Sequence, residues 1–201
     1  MAIPRNAKII LLEGNDCLLN TFPKKLSEKA KIQLEQLGVE VKLNCFATKI
    51  DEMGVIFNCE SVANYISANT VLWAAGVKAS ELGRIISNET AAELDKNGRV
   101  KVNPDLSIPK YPEIMVAVDL ASIVDASGKQ VPGLAPAAMQ QGAYVAKRIS
   151  NLLDLKKTKP FRYTDKGNLA VIGRNAAVAQ IGPLHIYGLS AWILWALIHI
   201  Y

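Results

Sequence analysis

Two carboxylates follow apolar stretches, at the kind of position where open α/β sheets place ligand-binding groups. Glu13 ends the apolar run at residues 8–13, and Asp119 follows the run at residues 113–118. A carboxylate at the carboxyl end of a parallel strand can accept hydrogen bonds from sugar or polyol hydroxyls. Each acid alone fits an ordinary loop or helix cap equally well, so the two indicate candidate sites rather than a ligand.

A second candidate site lies at the start of a helix predicted over residues 134–153. Its first turns read APAAMQQG over residues 135–142. The free N–H groups of a helix N-terminus favour a developing anion, and Gln140 and Gln141 can donate to or accept from a ring or quinone. A small-residue face permits either close packing against another element or the approach of a flat ring. That face comprises Ala138, Gly142 and Ala146.

Other polar residues give weaker signals. Lys166 lies in a polar turn before a predicted strand, where it would either neutralise a flavin or quinone anion or remain solvated. His185 and His199 have no partners at metal-ligand spacing, so we expect neither to be catalytic. No nucleophile triad and no metal cluster can be assembled from the sequence.

The composition excludes several classes of protein. The 201 residues are 50% hydrophobic and 20% charged, which excludes a disordered tail, a collagen-like fibre and a coiled coil. The net charge of +5 is spread along the chain, so we expect no nucleic-acid partner and find an anionic membrane surface more plausible. Residues 1–8 contain no apolar core typical of a signal peptide. We expect the three cysteines to be reduced thiols of a cytosolic protein; they are Cys17, Cys45 and Cys59.

Apolar periodicity predicts the elements that position these residues. Residues 8–13 form a continuous apolar run typical of a strand buried on both faces. A helix follows from Leu26 to Leu37, with Ser27 as its N-cap and Gly38 at its end, and then a strand at 39–43. This βαβ unit predicts the α/β class with a largely parallel sheet. Further strands are expected at 49–59, 61–67, 70–75, 97–102, 113–118, 169–172 and 177–181.

The last thirteen residues, 189–201, are uncharged and mostly large and apolar. As a helix they would reach about 20 Å, which is less than the roughly 30 Å of a bilayer core. Trp192 and Trp195 share one helical face, and Tyr201 stands near the end, as is typical of the membrane interface. We favour an in-plane amphipathic anchor over a buried core helix or the first half of a spanning helix.

Taken in order, these segments resemble the C-terminal half of the type II (alternative) NADH:quinone oxidoreductases. The motifs are VLWAAGV (71–77), EIMVAVDLA (113–121), GLAPAAMQQG (133–142), PFRYTDKGNLAVIG (160–173) and the aromatic run to Tyr201. The resemblance implies partial, nested Rossmann-like dinucleotide-binding domains and a C-terminal amphipathic membrane-binding helix. The implied parts are an incomplete NADH-binding domain at 1–73, the end of the FAD-binding domain at 74–160, and a truncated membrane-binding region at 161–201.

The resemblance also implies a role for each candidate residue. Glu13 would accept the NADH ribose hydroxyls, Asp119 would hold the FAD ribityl chain, and Lys166 would sit beside the flavin on a proton route. The remaining cofactor contacts would come from Gly76, Ala137, Ala138 and Gln140. Gln140 and Gln141 would face the quinone. The membrane contacts would come from Trp192, Trp195 and Tyr201.

The implied activity is hydride transfer from NADH to FAD and then reduction of a membrane quinone. The protein would act at the cytoplasmic face of a bacterial plasma membrane, and the sequence leaves a homodimer open. Val118 stands where the family usually has a glycine, Pro136 replaces a usual glutamine, and both glycine-rich phosphate loops are absent. The alternative is therefore an inactive product that acts only as a membrane-docking or interaction module. A sulfide:quinone oxidoreductase is disfavoured because no cysteine lies in the flavin-facing motifs.

Overall fold

The computed structural model describes residues 7–200 and the side chains of residues 7–198. The described chain divides into two compact units. The first comprises residues 7–73 together with the segment from residue 166 onwards, and the second comprises residues 74–165. Each unit has its own apolar core.

The first unit begins with the predicted βαβ arrangement. Strand β1 (Ile9–Leu12) pairs in parallel with β2 (Val39–Lys42), and helix α1 (Lys24–Gln36) connects them. The prediction that β1 is buried on both faces is wrong, because Ile9 is 41% exposed and Leu11 is 37% exposed. Among the described residues β1 pairs only with β2, and its other two residues, Ile10 and Leu12, are half-buried.

Helix α1 begins one turn earlier than its sequence signals indicate. Pro23 is the N-cap, whereas the predicted cap Ser27 lies inside the first turns and donates its hydroxyl to the Leu18 carbonyl. Gly38 has a φ of +88° and follows the helix as predicted, because glycine adopts this left-handed conformation without a steric cost. The buried face of α1 is centred on Leu26.

A three-stranded antiparallel sheet follows. It is formed by β3 (Cys45–Asp51), β4 (Gly54–Cys59) and β5 (Val62–Ser67). The predicted antiparallel add-on is present, but residues 49–59, expected as one strand, divide at a turn between Asp51 and Gly54. The expectation of three reduced thiols is wrong, because Cys45 and Cys59 are joined in a disulfide and only Cys17 is free. The physical reason is the strand register, which places these two cysteines directly opposite each other on β3 and β4.

The strand predicted at residues 70–75 is absent. Residues 70–80 form neither helix nor strand, and Leu72 is 89% exposed while Trp73 is 64% exposed. An apolar run of strand length forms a strand only where another strand can accept its backbone hydrogen bonds. No strand in the described part of the chain pairs with this segment.

The second unit combines two short sheets with two helices. Strand β6 (Val100–Val102) pairs in parallel with β9 (Ala121–Ile123), and β7 (Ser107–Ile108) pairs antiparallel with β8 (Tyr111–Met115). The helices are α2 (Leu82–Thr90) and α3 (Ala135–Leu153). The predicted helix at 134–153 is thus confirmed, with Pro136 in its first turn.

A buried ion pair fixes α3 to the rest of the second unit. The Arg148 guanidinium is buried and lies 2.6 Å from an Asp105 carboxylate oxygen, and it also donates to the Pro112 carbonyl at 3.2 Å. Burial opposes ionisation of Asp105, but hydrogen bonds from Ser107 and the charge of Arg148 outweigh it and lower the pKa of this carboxyl. The buried Arg148 charge needs its partner, so the pair anchors α3 to the segment that carries Asp105.

The last segment returns to the first unit. Strands β10 (Asn168–Gly173), β11 (Ala176–Ile181) and β12 (Leu184–Tyr187) form an antiparallel sheet, which includes the predicted hairpin, and helix α4 (Leu189–Ile200) follows. Val178 of β11 packs with the buried face of α1. Within residues 7–200, no helix has both the length and the apolar character needed to cross a bilayer.

The disulfide predicts how many thiols react with an alkylating reagent. In the oxidised, denatured protein, we expect one modified cysteine, Cys17, by intact mass. After reduction and denaturation, we expect three. Three modified cysteines before reduction would contradict the Cys45–Cys59 pairing. The control is a Cys17→Ser variant, in which we expect no modified cysteine before reduction and two after it.

Candidate functional site

The first part of the site is a turn that carries Asp119 against helix α3. The strand predicted to run to residue 118 ends at Met115, and Asp119 lies in a short 3₁₀ helix, Val118–Leu120, rather than directly at a strand end. Asp119 is exposed and forms no ion pair with any residue between 7 and 198. Its carboxylate is therefore available to accept hydrogen bonds from a ligand.

Gln141 fixes the backbone beside Asp119. Its side chain is buried, and its amide oxygen accepts a hydrogen bond from the Val118 N–H. Val118 has a φ of +64°, a left-handed conformation that is sterically costly for a β-branched residue and free of cost for glycine. Val118 stands where the resembled family usually has a glycine, and it adopts a backbone conformation that a glycine would adopt without steric cost. The Gln141 side chain faces the protein interior.

Gln140 holds a different segment. Its Nε2 donates to the Thr164 carbonyl at 2.9 Å, and its Oε1 accepts from the Thr164 N–H, also at 2.9 Å. The two neighbouring glutamines therefore fasten two distant stretches of chain to α3. Their positions were predicted from the sequence, but these hydrogen-bond partners were not.

Asp125 is a buried carboxylate that the sequence analysis did not single out. It accepts hydrogen bonds from the N–H and hydroxyl of Ser127, from the Lys129 N–H at 3.2 Å and from the Tyr163 N–H at 3.2 Å. The Ser127 hydroxyl leads in lowering the pKa of Asp125 to about 2, and the backbone donors outweigh the opposing effect of burial. The sequence DASGK is typical of a turn, but the contact with Tyr163 has no local signal.

Aromatic side chains support the same segment. The Tyr144 and Phe161 rings meet edge to face with centroids 5.4 Å apart, and the Tyr144 hydroxyl donates to the Lys159 carbonyl at 2.9 Å. An open cleft of about 320 Å³ lies beside them. The other residues lining the cleft are Gln140, Ala143, Lys147 and Arg162, so its rim is cationic.

The N-terminus of α3 offers fewer free donors than expected. The N–H groups of Ala137 and Ala138 both donate to the Leu134 carbonyl, at 2.9 and 3.0 Å, and Pro136 has no N–H. The Ala137 side chain is fully buried in the core of the second unit, whereas Ala138 is half-buried. An anion at this helix end would therefore meet the helix dipole but few unpaired N–H groups.

Glu13 lies in the first unit, in a turn with a tightly packed backbone. One of its carboxylate oxygens accepts hydrogen bonds from the backbone N–H of Asn15 at 2.8 Å and from its side-chain amide at 2.6 Å. The next residue, Gly14, lies against the Phe46 ring, and a Cβ there would come within 2.4 Å of that ring. These contacts fix the orientation of Glu13 at the carboxyl end of β1.

The remaining predicted residues lie apart from these contacts. Gly76 has a φ of +76° in the extended stretch after residue 70, and a Cβ there would meet nothing within 4 Å. Lys166 is exposed and makes no ion pair with the described side chains. The structure thus brings Asp119, Gln140 and Gln141 together on α3 and its adjoining turn, while Glu13 and Lys166 belong to the first unit.

The aromatic residues of α4 are paired. The Trp192 and Trp195 rings lie 6.4 Å apart, and Trp192 also packs against the small core that contains Ala191. The exposed side of α4 is apolar and carries Leu189, Ile193, Leu197 and Ile198. Tyr201 lies outside the described residues. The described side chains contain no cluster of His, Cys, Asp and Glu that could hold a metal ion.

The low pKa of Asp125 predicts how its replacement changes stability with pH. An aspartate that ionises near pH 2 in the folded chain and near pH 4 in the unfolded chain stabilises the fold fully above pH 4. This contribution, about 2 kcal/mol, is lost as the pH falls towards 2. Asp125→Asn turns an acceptor that faces Tyr163 into a donor, so it should lower the free energy of unfolding at pH 7. Because the variant has no carboxylate at this position to protonate, its free energy of unfolding should fall less steeply below pH 4.

Urea titrations followed by circular dichroism between pH 2.5 and pH 7 would measure both effects. Asp119→Asn is the matched control, because that carboxylate is exposed, and it should leave the curve unchanged. Equal pH dependence in Asp125→Asn and the unmodified chain would contradict the assignment of a low pKa to Asp125.

Comparison with known proteins gives relatives that span most of this chain. A type II NADH:quinone oxidoreductase, Ndh, from Mycobacterium tuberculosis is 38% identical over 198 residues, which cover 96% of this chain and 42% of that protein. A type II NADH:quinone oxidoreductase from Staphylococcus saprophyticus is 32% identical over 185 residues, which cover 92% of this chain and 45% of that protein. The chain thus spans less than half the length of these relatives.

Solved structures show the same fold. NDH2 from Plasmodium falciparum, solved in complex with NADH, superposes with a TM-score of 0.84 at 17% identity, over 96% of this chain and 54% of that one. A sulfide:quinone oxidoreductase from Aquifex aeolicus has a TM-score of 0.72 at 14% identity, over 96% of this chain and 48% of that one. The model of the pyridine nucleotide-disulphide oxidoreductase family matches residues 2–142, and this chain belongs to that family.

Proposed function

We propose that this chain supplies the second half of a flavin-dependent NADH:quinone oxidoreductase. The observation that carries the proposal is the 38% identity to the Mycobacterium tuberculosis enzyme across 96% of this chain. Residues 1–73 would form part of the NADH-binding domain, and residues 74–160 would form the end of the FAD-binding domain. Residues 161–201 would provide the membrane-binding region.

The second unit fits part of an FAD molecule. The exposed Asp119 carboxylate, held against α3 by the Gln141–Val118 hydrogen bond, suits the hydroxyls of the ribityl chain. Ala138 is half-buried at the start of α3 and would approach the ring, whereas the buried Ala137 would contribute through its backbone. Bound FAD would supply the electron-transfer chemistry. The sequence has no glycine-rich loop for the phosphates, so these residues fit the inner part of the cofactor only.

The first unit fits part of an NADH molecule. The Glu13 turn lies at the carboxyl end of β1, where a carboxylate can accept the two ribose hydroxyls. Only one of its oxygens is occupied by Asn15, so the other remains to accept a ligand hydroxyl. A carboxylate at this position would repel a 2′-phosphate and would favour NADH over NADPH. Gly76 would pass close to the cofactors with no side chain to obstruct them.

Lys166 is the residue we propose to act electrostatically beside the flavin. Its ammonium group is exposed and unpaired with any described carboxylate, so it can neutralise an anion and pass a proton to the quinone side. Gln140 and Gln141 were expected to contact the quinone directly. Because their amides already bond backbone groups, we propose that they shape the quinone cavity by holding its walls.

The proposed acceptor is a membrane quinone, reached from the cytoplasmic face of a bacterial plasma membrane. The exposed apolar side of α4, together with Trp192 and Trp195, would lie in the interface of the bilayer. Tyr201 would extend this contact. A homodimer, which the sequence leaves open, would be compatible with this membrane contact.

The second candidate function is a membrane-docking or interaction module without catalysis. The observation in its favour is the absence of both glycine-rich phosphate loops from the sequence. These 201 residues would hold neither nucleotide tightly unless the loops were supplied from outside them.

Flavin retention separates the two functions. FAD is added to the purified chain, both alone and together with a segment that carries the glycine-rich phosphate loops. We expect the FAD to remain bound through gel filtration. We also expect the complex to reduce quinone with NADH as the electron donor. Asp119→Ala should weaken FAD binding about tenfold or more, because hydrogen bonds to a charged group contribute roughly 1.5–3 kcal/mol. Asp16→Ala, at another exposed aspartate, is the control. Failure to retain FAD under every condition would favour the docking module.

Vesicle binding tests the membrane contact of α4. The double substitution Ile193→Glu and Leu197→Glu places two charges on its exposed apolar side, so we expect a several-fold loss of co-sedimentation with anionic liposomes. Leu72→Glu, at an exposed apolar residue away from α4, should bind as the unmodified chain does. Equal binding by all three proteins would count against α4 as the membrane contact.

A further inference from the structure

We propose that Gln140 is a positioning residue that clamps the segment at residues 161–165 and thereby restricts the backbone position of Lys166, which follows this segment in the chain. This role goes beyond a contact between Gln140 and flavin or quinone. Its structural part stands on hydrogen bonds within the second unit, and only its consequence for Lys166 rests on the proposed function.

The clamp is a two-point pairing of amide groups. A primary amide presents one acceptor beside two donors, and the Thr164 backbone presents a complementary donor and acceptor. Both bonds are 2.9 Å long, within the ordinary range for N–H···O bonds. Gln140 thus pairs with Thr164 as one strand residue pairs with another. The Oε1 and one N–H of Gln140 are committed to this contact.

Backbone hydrogen bonds also hold the first residues of this segment, Phe161 and Tyr163. The Phe161 N–H donates to the Pro104 carbonyl at 2.7 Å, the Ala126 N–H donates to the Phe161 carbonyl at 3.0 Å, and the Tyr163 N–H donates to Asp125. The Gln140 contact adds Thr164 to this series.

Chain length transmits the clamp to Lys166. Lys166 is two positions after Thr164 in the chain, and extended chain spans at most about 3.6 Å per residue. The Lys166 backbone therefore lies within about 7 Å of a residue that Gln140 holds in place. A shift at Thr164 would displace the ammonium group that we propose to act beside the flavin.

Hydrogen exchange of the Thr164 amide tests the clamp on the full chain without any cofactor. Gln140→Leu removes both bonds, so we expect Thr164 to exchange at least about fivefold faster than in the unmodified chain at the same pH. Gln140→Glu keeps the acceptor but sets a carboxylate against the Thr164 carbonyl at pH 7. Once protonated, near pH 4, this glutamic acid has a donor and an acceptor again and should restore protection.

Gln36→Leu is the control, because it makes the same chemical change on an exposed helical residue of the first unit. It should leave exchange at Thr164 unchanged. If low pH restores the protection of the Thr164 amide in Gln140→Glu but not in Gln140→Leu, the effect comes from a specific clamp and not from general destabilisation. Unchanged exchange in Gln140→Leu would overturn the proposal.

The same variants separate this proposal from the proposed function. Faster exchange in a chain that never retains FAD would leave the clamp established and remove the enzymatic role. Retained FAD with unaltered exchange in Gln140→Leu would support the enzyme and reject the clamp. If both the clamp and the proposed enzymatic function are correct, Gln140→Leu should change the pH profile of NADH oxidation, because the position of Lys166 changes. The pH profile of Gln36→Leu should match that of the unmodified chain.

Discussion

The arrangement of the second unit depends on the need of one buried carboxylate for hydrogen-bond donors. Asp125 accepts four bonds, from Ser127, Lys129 and Tyr163, which close the turn after β9 and attach the stretch that follows α3. A buried charge is costly unless its lone pairs are satisfied, so loss of any donor destabilises the whole turn. This constraint brings residues 161–165 back to the unit, where Gln140 can reach Thr164.

Many of the regular elements were predictable because each has a local cause. The βαβ start follows from apolar runs around a helix with period 3.6, and α3 follows from Pro136 and a long apolar stripe. The expectation of a largely parallel sheet was wrong, because among the described strands only β1–β2 and β6–β9 pair in parallel. The strand expected at 70–75 has the same local pattern as β1 but lacks a partner. Pairing is a property of the whole sheet, so no local pattern distinguishes a strand from an exposed apolar connector.

The disulfide could not be predicted because it depends on a shift of one residue. The turn between β3 and β4 pairs Asp51 with Gly54, and an unbroken ladder from there would set Cys45 opposite Glu60. The register shifts between Ala47 and Lys49, so that Cys45 faces Cys59 instead. Bulges of this kind leave a weak trace in the sequence, since one unpaired residue suffices to re-aim every side chain beyond it.

The residues of the candidate site were singled out from the sequence, but the hydrogen bonds that they make in the structure were not predicted. Asp119, Gln140 and Gln141 were identified from residue types and order, whereas their partners lie 23 and 24 residues away in the chain for the two glutamines. Adjacent helical residues point about 100° apart, so Gln141 reaches inward to Val118 while Gln140 reaches sideways to Thr164. Helix α3, itself fixed by the Arg148–Asp105 pair, thereby sets both the turn that presents Asp119 and the segment that leads to Lys166. In this chain the two consecutive glutamines each anchor a separate segment to α3.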